Sequence, residues 1–175
     1  MKCNQVRLNC GTTIPTIGLG TYSFQNDREE TEGAVQMALK VEMHPMWRQT
    51  KLREFCGDKK IHVSAYSPLG GPGNSWGSTA VVEDPVIQSI ALKHKTTPAQ
   101  VALRWGLSKG ASVIVKSFSK DRMKENLGTL DLRLDDQDLI NIENMEERKI
   151  MRGEFLVNQT TSPYKTLQDL WDDEI

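Results

Sequence analysis

Lys116 and Ser117 close the apolar run "SVIVKS", and Arg122, Glu125 and Asn126 follow within "FSKDRMKEN". The run reads as a buried-type strand and the following segment as a helix starting near Ser119, so these side chains gather where a strand ends and a helix begins. A helix N-terminus offers backbone amides and the positive end of its dipole. A flanking Lys and Arg add charge-assisted hydrogen bonds, and the set suits a doubly charged phosphate. Glu125 and Asn126 have the groups to accept from and donate to the edge of a base. A solvated charged helix face uses the same residue types, and spacing alone leaves both readings open.

A second strand end lies in "IHVSAYSPLGGPGNSWG". Ile61, Val63 and Ala65 alternate with His62, Ser64 and Tyr66, and Ser67-Pro68 ends the pattern. Tyr66 offers a ring to stack on, and the glycines after Leu69, Gly71 among them, let backbone approach a phosphate. An ordinary glycine-rich turn beside a tyrosine at the core edge is the alternative. A third strand end is "VEMHP". His44 has Glu42 as its nearest titratable neighbour in sequence and no nucleophile to activate, so it reads as a packed or capping histidine. His62 alternates with apolar strand positions and His94 lies in the charged run "LKHKTT"; neither suggests a metal cluster. The acidic "WDDEI" ending reads as a solvated tail.

The elements that must position these residues alternate between strand and helix. A hairpin around Asn9 to Thr12 is followed by an extended segment ending at Gly18, Gly20 and Thr21, and then by a helix from about Arg28 to Lys40. After the VEMHP strand, Leu52, Phe55 and Cys56 at i, i+3 and i+4 predict an amphipathic helix. "TTPAQVALRWGLSKG" carries a Thr97 cap, Pro98 at the first helical position and Gly110 past the end, with Val101, Ala102 and Trp105 on one face. The helix from Ser119 turns Met123, Leu127 and Leu130 inward, and a last helix spans about Asp136 to Glu147. Alternating strands and helices argue for a parallel sheet covered by helices. Four strands are half of what a closed β/α barrel needs, and such barrels typically take about 250 residues.

One junction stands out. In "GAVQMALKVEMHPMW" the helical spacing of Ala34 with Ala38 and Val35 with Leu39 runs straight into the alternation of Val41 to His44. Helix-to-strand connections normally take roughly 2 to 6 residues; here Lys40 meets Val41 directly.

With 175 residues, the chain is long enough for one domain with a real core. Its 22 basic and 23 acidic residues leave a net charge of -1, which gives no general pull toward nucleic acid or an anionic membrane. The three cysteines, Cys3, Cys10 and Cys56, form no CxxC pair and read as reduced thiols. "MKCNQVRLNCGTTIP" has no signal-peptide core, and no stretch approaches the roughly 20 apolar residues of a membrane span. A soluble cytoplasmic protein is expected.

"IPTIGLGTYS", "VEMHP", "VSAYSPLG" and "VIVKSFSKDRMKENL", in that order, together resemble the aldo-keto reductase superfamily, and "YKTLQDLWDDEI" is similar to its plant members, which reduce carbonyls. The resemblance implies a (β/α)8 barrel that binds NADPH across the C-terminal face of its strands and passes hydride to a small aldehyde or ketone. Carried over by position, Tyr66 corresponds to the tyrosine stacked on nicotinamide, and Ser67, Leu69 and Gly71 to the loop over the pyrophosphate. Lys116, Ser117, Phe118 and Arg122 correspond to the positions holding the adenosine 2′-phosphate, and Glu125 and Asn126 to those meeting adenine. Gly20 and Thr21 correspond to the end of the first barrel strand, beside the cofactor.

The same resemblance locates a departure. The family's tetrad is an aspartate, a tyrosine, a lysine and a histidine placed on and after barrel strands two to four. This chain passes from the first helix at Lys40 to strand six at Val41. It is expected to be a partial barrel retaining strands resembling one, six, seven and eight: residues 1–40 the first strand and helix, 41–150 the cofactor-binding half, and 151–175 the C-terminal loop and tail. No catalytic residue and no metal is expected, and the chain alone is expected to be inactive. The alternatives are a cofactor-binding or regulatory module associating with a full-length chain, and a rearranged site using His44 or Tyr66.

Overall fold

The computed structural model describes residues 5–7, 13–15, 17–19 and 38–171, with side chains from Leu39 onward. Strands β1 (Gln5–Arg7) and β2 (Thr13–Pro15) pair antiparallel, Val6 opposite Ile14. They are the two arms of the expected hairpin, whose turn lies outside the described residues. A second sheet contains β3 (Ile17–Leu19), β4 (Ala38–Glu42), β5 (His62–Tyr66) and β6 (Ser112–Val115) in the order β3-β6-β5-β4, with every pair parallel. The registers set Tyr66 beside Glu42 on one side and beside Ile114 on the other.

Helices cover one face. They are α1 (Thr50–Asp58), α2 (Ala80–Glu83), α3 (Pro85–Lys93), α4 (Pro98–Ser108), α5 (Lys120–Gly128) and α6 (Asp136–Glu143), with a short α7 (Leu167–Trp171) near the C-terminus. The core forms where Val63, Ala65, Val113 and Val115 meet Ile87 and Ile90 of α3, Val101 and Trp105 of α4, and Ile142 of α6. Gly106 lets α4 lie close to β6, since a Cβ there would sit 2.8 Å from Val113 Cγ1. Strand alternation turns the other set away from the helices, and across that face His62 Nε2 meets Ser112 Oγ at 2.9 Å. Among the described residues no helix is long and apolar enough to cross a membrane.

Local chemistry accounts for the boundaries. Thr97 caps α4 in a capping box with Gln100, Pro98 takes the first turn, and Gly110 adopts φ 78° after the helix ends. Ser119 caps α5 by accepting the Arg122 amide at 3.3 Å, as expected for a helix starting there.

Several boundaries differ from the sequence expectation. Ala38, Leu39 and Lys40 are not the last turn of a helix; they are strand, paired with His62, Val63 and Ser64. Pairing to β5 supplies their backbone partners, and a short Ala-Leu run fits either period. The strand therefore begins before the Lys40–Val41 junction, and residues 28–37 lie outside the described set. At its other end β4 stops at Glu42, because His44 and Trp47 form a tight antiparallel bridge of their own. Leu127 is 49% exposed rather than inward, while Asn126 on the same helix is buried. The helix from Asp136 stops at Glu143, short of Glu147. Helices α2 and α3 were not anticipated, although the Asp84-Pro85 start and the apolar Val86, Ile87, Ile90 and Ala91 signal α3: the Asp84 side chain caps it through the Val86 amide at 2.8 Å.

Candidate functional site

Two neighbouring strand ends carry the residues singled out above. Tyr66 ends β5 and Lys116 follows β6, and the parallel Tyr66–Ile114 pairing brings both to the C-terminal end of the two central strands. Ser67, directly after Tyr66, holds φ 47°, a left-handed conformation that non-glycine residues seldom adopt and that concentrates at functional turns. Lys116 is exposed and its ammonium lies 4.4 Å from the ring centre of Phe118, itself 90% exposed. Ser117 Oγ accepts the Ser119 amide at 3.1 Å, and Arg122 extends from the first turn of α5 into solvent. This strand end presents two cations and a helix N-terminus in one place.

The remaining expected residues are engaged within the protein. Glu125 Oε1 accepts from Thr97 Oγ1 at 2.7 Å, and its carbonyl accepts from Gln100 Nε2 at 2.9 Å, which ties α5 to α4. Asn126 is buried. Leu69 packs against the core. Gly71 is buried with φ 67°, and the Trp76 ring lies 2.6 Å from where a Cβ would stand. Its carbonyl accepts from the Asn74 amide and from Asn74 Nδ2, while the amides of Gly70, Gly77 and Ser78 bond to Ser67, Asn74 and Gly70. The loop therefore closes on itself. Gly20 and Thr21 lie outside the described residues.

Sequence reasoning missed a buried charged network beneath Tyr66. Glu42 is 1% exposed; it meets His44 Nε2 at 3.2 Å, accepts the Met151 amide at 3.0 and 3.3 Å, and lies 3.7 Å from the Lys149 ammonium. Lys149 also lies over the Trp47 ring at 4.7 Å and the Trp171 ring at 3.7 Å. Trp171 Nε1 donates to the Arg152 carbonyl at 2.7 Å, and Arg48 binds Glu147 and the Met145 carbonyl. Residues 145–152 thus strap across the end of β4. Burial pushes the Glu42 carboxyl up, but hydrogen bonds from His44 and the Met151 amide, with the charges of His44 and Lys149, outweigh it and hold the group below its ordinary value. Burial, and then the charge of Glu42, push the Tyr66 phenol up. Only the Glu42–His44 spacing was visible in sequence; the strap that completes the network comes from more than a hundred residues away.

This network brings a Tyr, a Lys, a His and a carboxylate together, yet its geometry is structural. Tyr66 Oη donates to Met151 Sδ at 3.7 Å, the Lys149 charge is taken up by Glu42 and two rings, and Glu42 and His44 are closed off from solvent. A backbone hydrogen bond at Glu42 pulls the phenol down, but burial and the Glu42 charge outweigh it and keep the group above its ordinary value. His44 is a packed histidine, as its sequence context suggests. His94, Asp135 and Asp138 bring ligand atoms within 4.8 Å of one another, which the sequence did not suggest. Lys93 Nζ reaches Asp135 at 2.6 Å and Asp138 at 2.8 Å, so an ammonium already fills the place a cation would take. The Cys56 thiol is buried and pushed up by that burial; Cys3 and Cys10 lie outside the described residues.

Comparison with known proteins places this architecture. The Aldo/keto reductase family model matches residues 16–147. Aldo-keto reductase family 4 member C11 of Arabidopsis thaliana is 42% identical over 161 residues, covering 91% of this chain and 51% of that protein. The (1S)-1,7-diacetoxy-luvungin A aldo-keto reductase of Citrus sinensis is 39% identical over 176 residues, 99% of this chain and 54% of that one. Deoxymugineic acid synthase 1 of Zea mays is 46% identical over 135 residues, 77% and 43% of the two chains. The aldose reductase structure from Schistosoma japonicum superposes with a TM-score of 0.56 at 31% identity, covering 64% of this chain and 35% of that one. The chain spans about half the length of the curated relatives it matches. Its parallel sheet is part of a (β/α)8 barrel, and the chain belongs to the aldo/keto reductase family.

Proposed function

We propose that this chain is a single domain, the cofactor-binding half of an NADPH-dependent carbonyl reductase that lacks the reducing tetrad: it holds NADPH and does not turn over. The observation that carries the reading is the sheet order. Around an eight-stranded barrel, strands one, eight, seven and six are consecutive neighbours, and β3-β6-β5-β4 follows that order with all pairs parallel. Relatives matched over 91% and 99% of this chain are about twice as long, in keeping with the loss of strands two to five near Lys40.

The residues present fit one end of the cofactor better than the other. Lys116 and Arg122, exposed beside the Ser119-capped start of α5, suit a 2′-phosphate through point charge and guanidinium fork. Phe118 is exposed beside them, Glu125 keeps one carboxylate oxygen beyond its bond to Thr97, and Asn126, buried, reaches an adenine only if α5 shifts. At the other end Gly71 lies under Trp76, and Tyr66 carries Met151 against its hydroxyl, so the loop from Ser67 to Gly71 admits a pyrophosphate only when Trp76 moves. When bound, NADPH supplies a hydride. What this chain lacks is the group that would protonate the developing alkoxide, a contribution worth roughly two to four orders of magnitude in rate for general acid catalysis alone. A test incubates the purified chain with NADPH and a reactive aldehyde: cofactor absorbance is expected to stay at the level of an enzyme-free control. Aldehyde-dependent oxidation that scales with protein would overturn the proposal.

A further inference from the structure

We propose that two copies of this chain close into one eight-stranded parallel barrel, β3 of each copy pairing with β4 of the other around a two-fold axis along the barrel. Among the described residues, β3 pairs only with β6 and β4 only with β5, so the sheet has two edges. All four strands point the same way, and a two-fold rotation about an axis along the strands preserves that direction. The order β4-β5-β6-β3 of one copy then continues into β4-β5-β6-β3 of the second and returns to its start. Two copies supply eight strands, the number at which a parallel barrel closes with its interior filled by side chains. Both seams are the same contact made twice, which closes the assembly at a dimer.

The β4 edge has the features such a seam needs. Met43 donates its amide to the Tyr66 carbonyl at 3.3 Å, so the alternation of a parallel ladder turns the amides and carbonyls of Lys40 and Glu42 away from β5. The outward Glu42 carbonyl is capped by Gln49 Nε2 at 3.0 Å, which ends the pairing surface there and leaves Lys40 as its centre. Leu39, on the helix-side face of β4, and Ile61, directly before β5, are each 38% exposed, and Phe55 of neighbouring α1 is 54% exposed. That apolar margin is where a second copy's helical layer would pack. The opposite face carries His62 and Ser112, a polar lining that suits the Lys40 side chain on the same face. An antiparallel β4–β4 pairing would leave both β3 edges open, whereas the barrel leaves none.

The experiment is sedimentation of the full chain without nucleotide, so its outcome is independent of cofactor binding. The expected result is a concentration-dependent species of twice 19.7 kDa and nothing larger. A monomer up to about 100 µM, or growth beyond a dimer, overturns the proposal. Lys40→Pro removes an outward amide without touching the ladder to β5; it is expected to weaken the dimer at least tenfold with an unchanged far-ultraviolet circular dichroism spectrum, and full-strength dimerisation overturns the seam. If that variant does not fold, hydrogen exchange of the unmodified chain decides. Amides of both 17–19 and 38–42 are expected to gain protection with concentration; protection at 38–42 alone, or at neither, contradicts the barrel.

Discussion

Replacing Glu42 by Gln keeps the shape of the side chain and removes its charge from beneath Tyr66. Lys149, whose side chain is 3% exposed, then loses the carboxylate at 3.7 Å while its ammonium stays buried against Trp47 and Trp171. Breaking a buried ion pair from one side costs about 3 to 5 kcal/mol, and the cation–π contacts to Trp47 and Trp171, present before and after the change, do not offset it, so a loss of about 3 to 5 kcal/mol is expected. The double variant Glu42→Gln, Lys149→Met removes the ammonium as well and is expected to recover most of the loss, because replacing both partners of a buried pair is often near neutral. Urea unfolding followed by tryptophan fluorescence reads both. With a slope of about 2 kcal/mol/M, the single variant moves the midpoint down by roughly 1.5 to 2.5 M. A single-variant shift below about 0.3 M, or a double variant no more stable than the single one, rules out a buried Glu42–Lys149 pair of this strength.

Thr97→Ala removes the α4 cap and the hydroxyl that bonds Glu125; a loss of about 1 to 2 kcal/mol is expected in the same denaturation assay. Gly71→Ala forces a side chain into φ 67° and against the Trp76 ring, costing roughly 1 to 3 kcal/mol and shifting the tryptophan emission. Lowering the pH tests the carboxylates. Hydrogen bonds from Lys93 and the Asp138 amide hold Asp135 at about 2 against an ordinary 3.8, and Glu42 and Asp138 are held below their ordinary values despite the opposing pull of burial. A carboxyl depressed in the fold adds stability above its unfolded pKa and loses it as pH falls through the folded one. Thermal midpoints are therefore expected to hold from pH 7 to about 5 and to drop between about pH 4 and 2; a flat profile across that window contradicts the assignment.

The parts of the fold legible in sequence were those fixed by local chemistry. Thr97, Pro98 and Gly110 bracket α4 because cap, first-turn proline and left-handed glycine each satisfy backbone groups within a few residues. The strand ends at Tyr66 and Lys116 were visible because Ser67-Pro68 breaks the alternation of the first and the Ser119 cap follows the apolar run of the second. Ala38 to Lys40 were misread because only pairing with β5 distinguishes strand from helix in so short a run. The strap over Glu42 was invisible for a related reason: nothing near Lys149 in sequence announces a buried carboxylate, and the pair exists only once residues 145–152 cross the sheet end. At the candidate site, Lys116 and Arg122 are exposed beside the start of α5, while Leu69 and Glu125 serve packing and helix-helix contacts that a positional resemblance cannot separate from ligand contact.

The proposed nucleotide half-site lies at the ends of β5 and β6 and would bind cofactor without reducing a carbonyl. Fluorescence titration of the four tryptophans with NADPH and with NADH tests it most directly. Saturable NADPH binding in the micromolar range and NADH binding at least tenfold weaker are expected, with that preference abolished in Lys116→Ala, Arg122→Ala, since charge-assisted hydrogen bonds to the 2′-phosphate are worth about 1.5 to 3 kcal/mol. Equal affinity for the two nucleotides, or no saturable response to either, would contradict the proposed half-site.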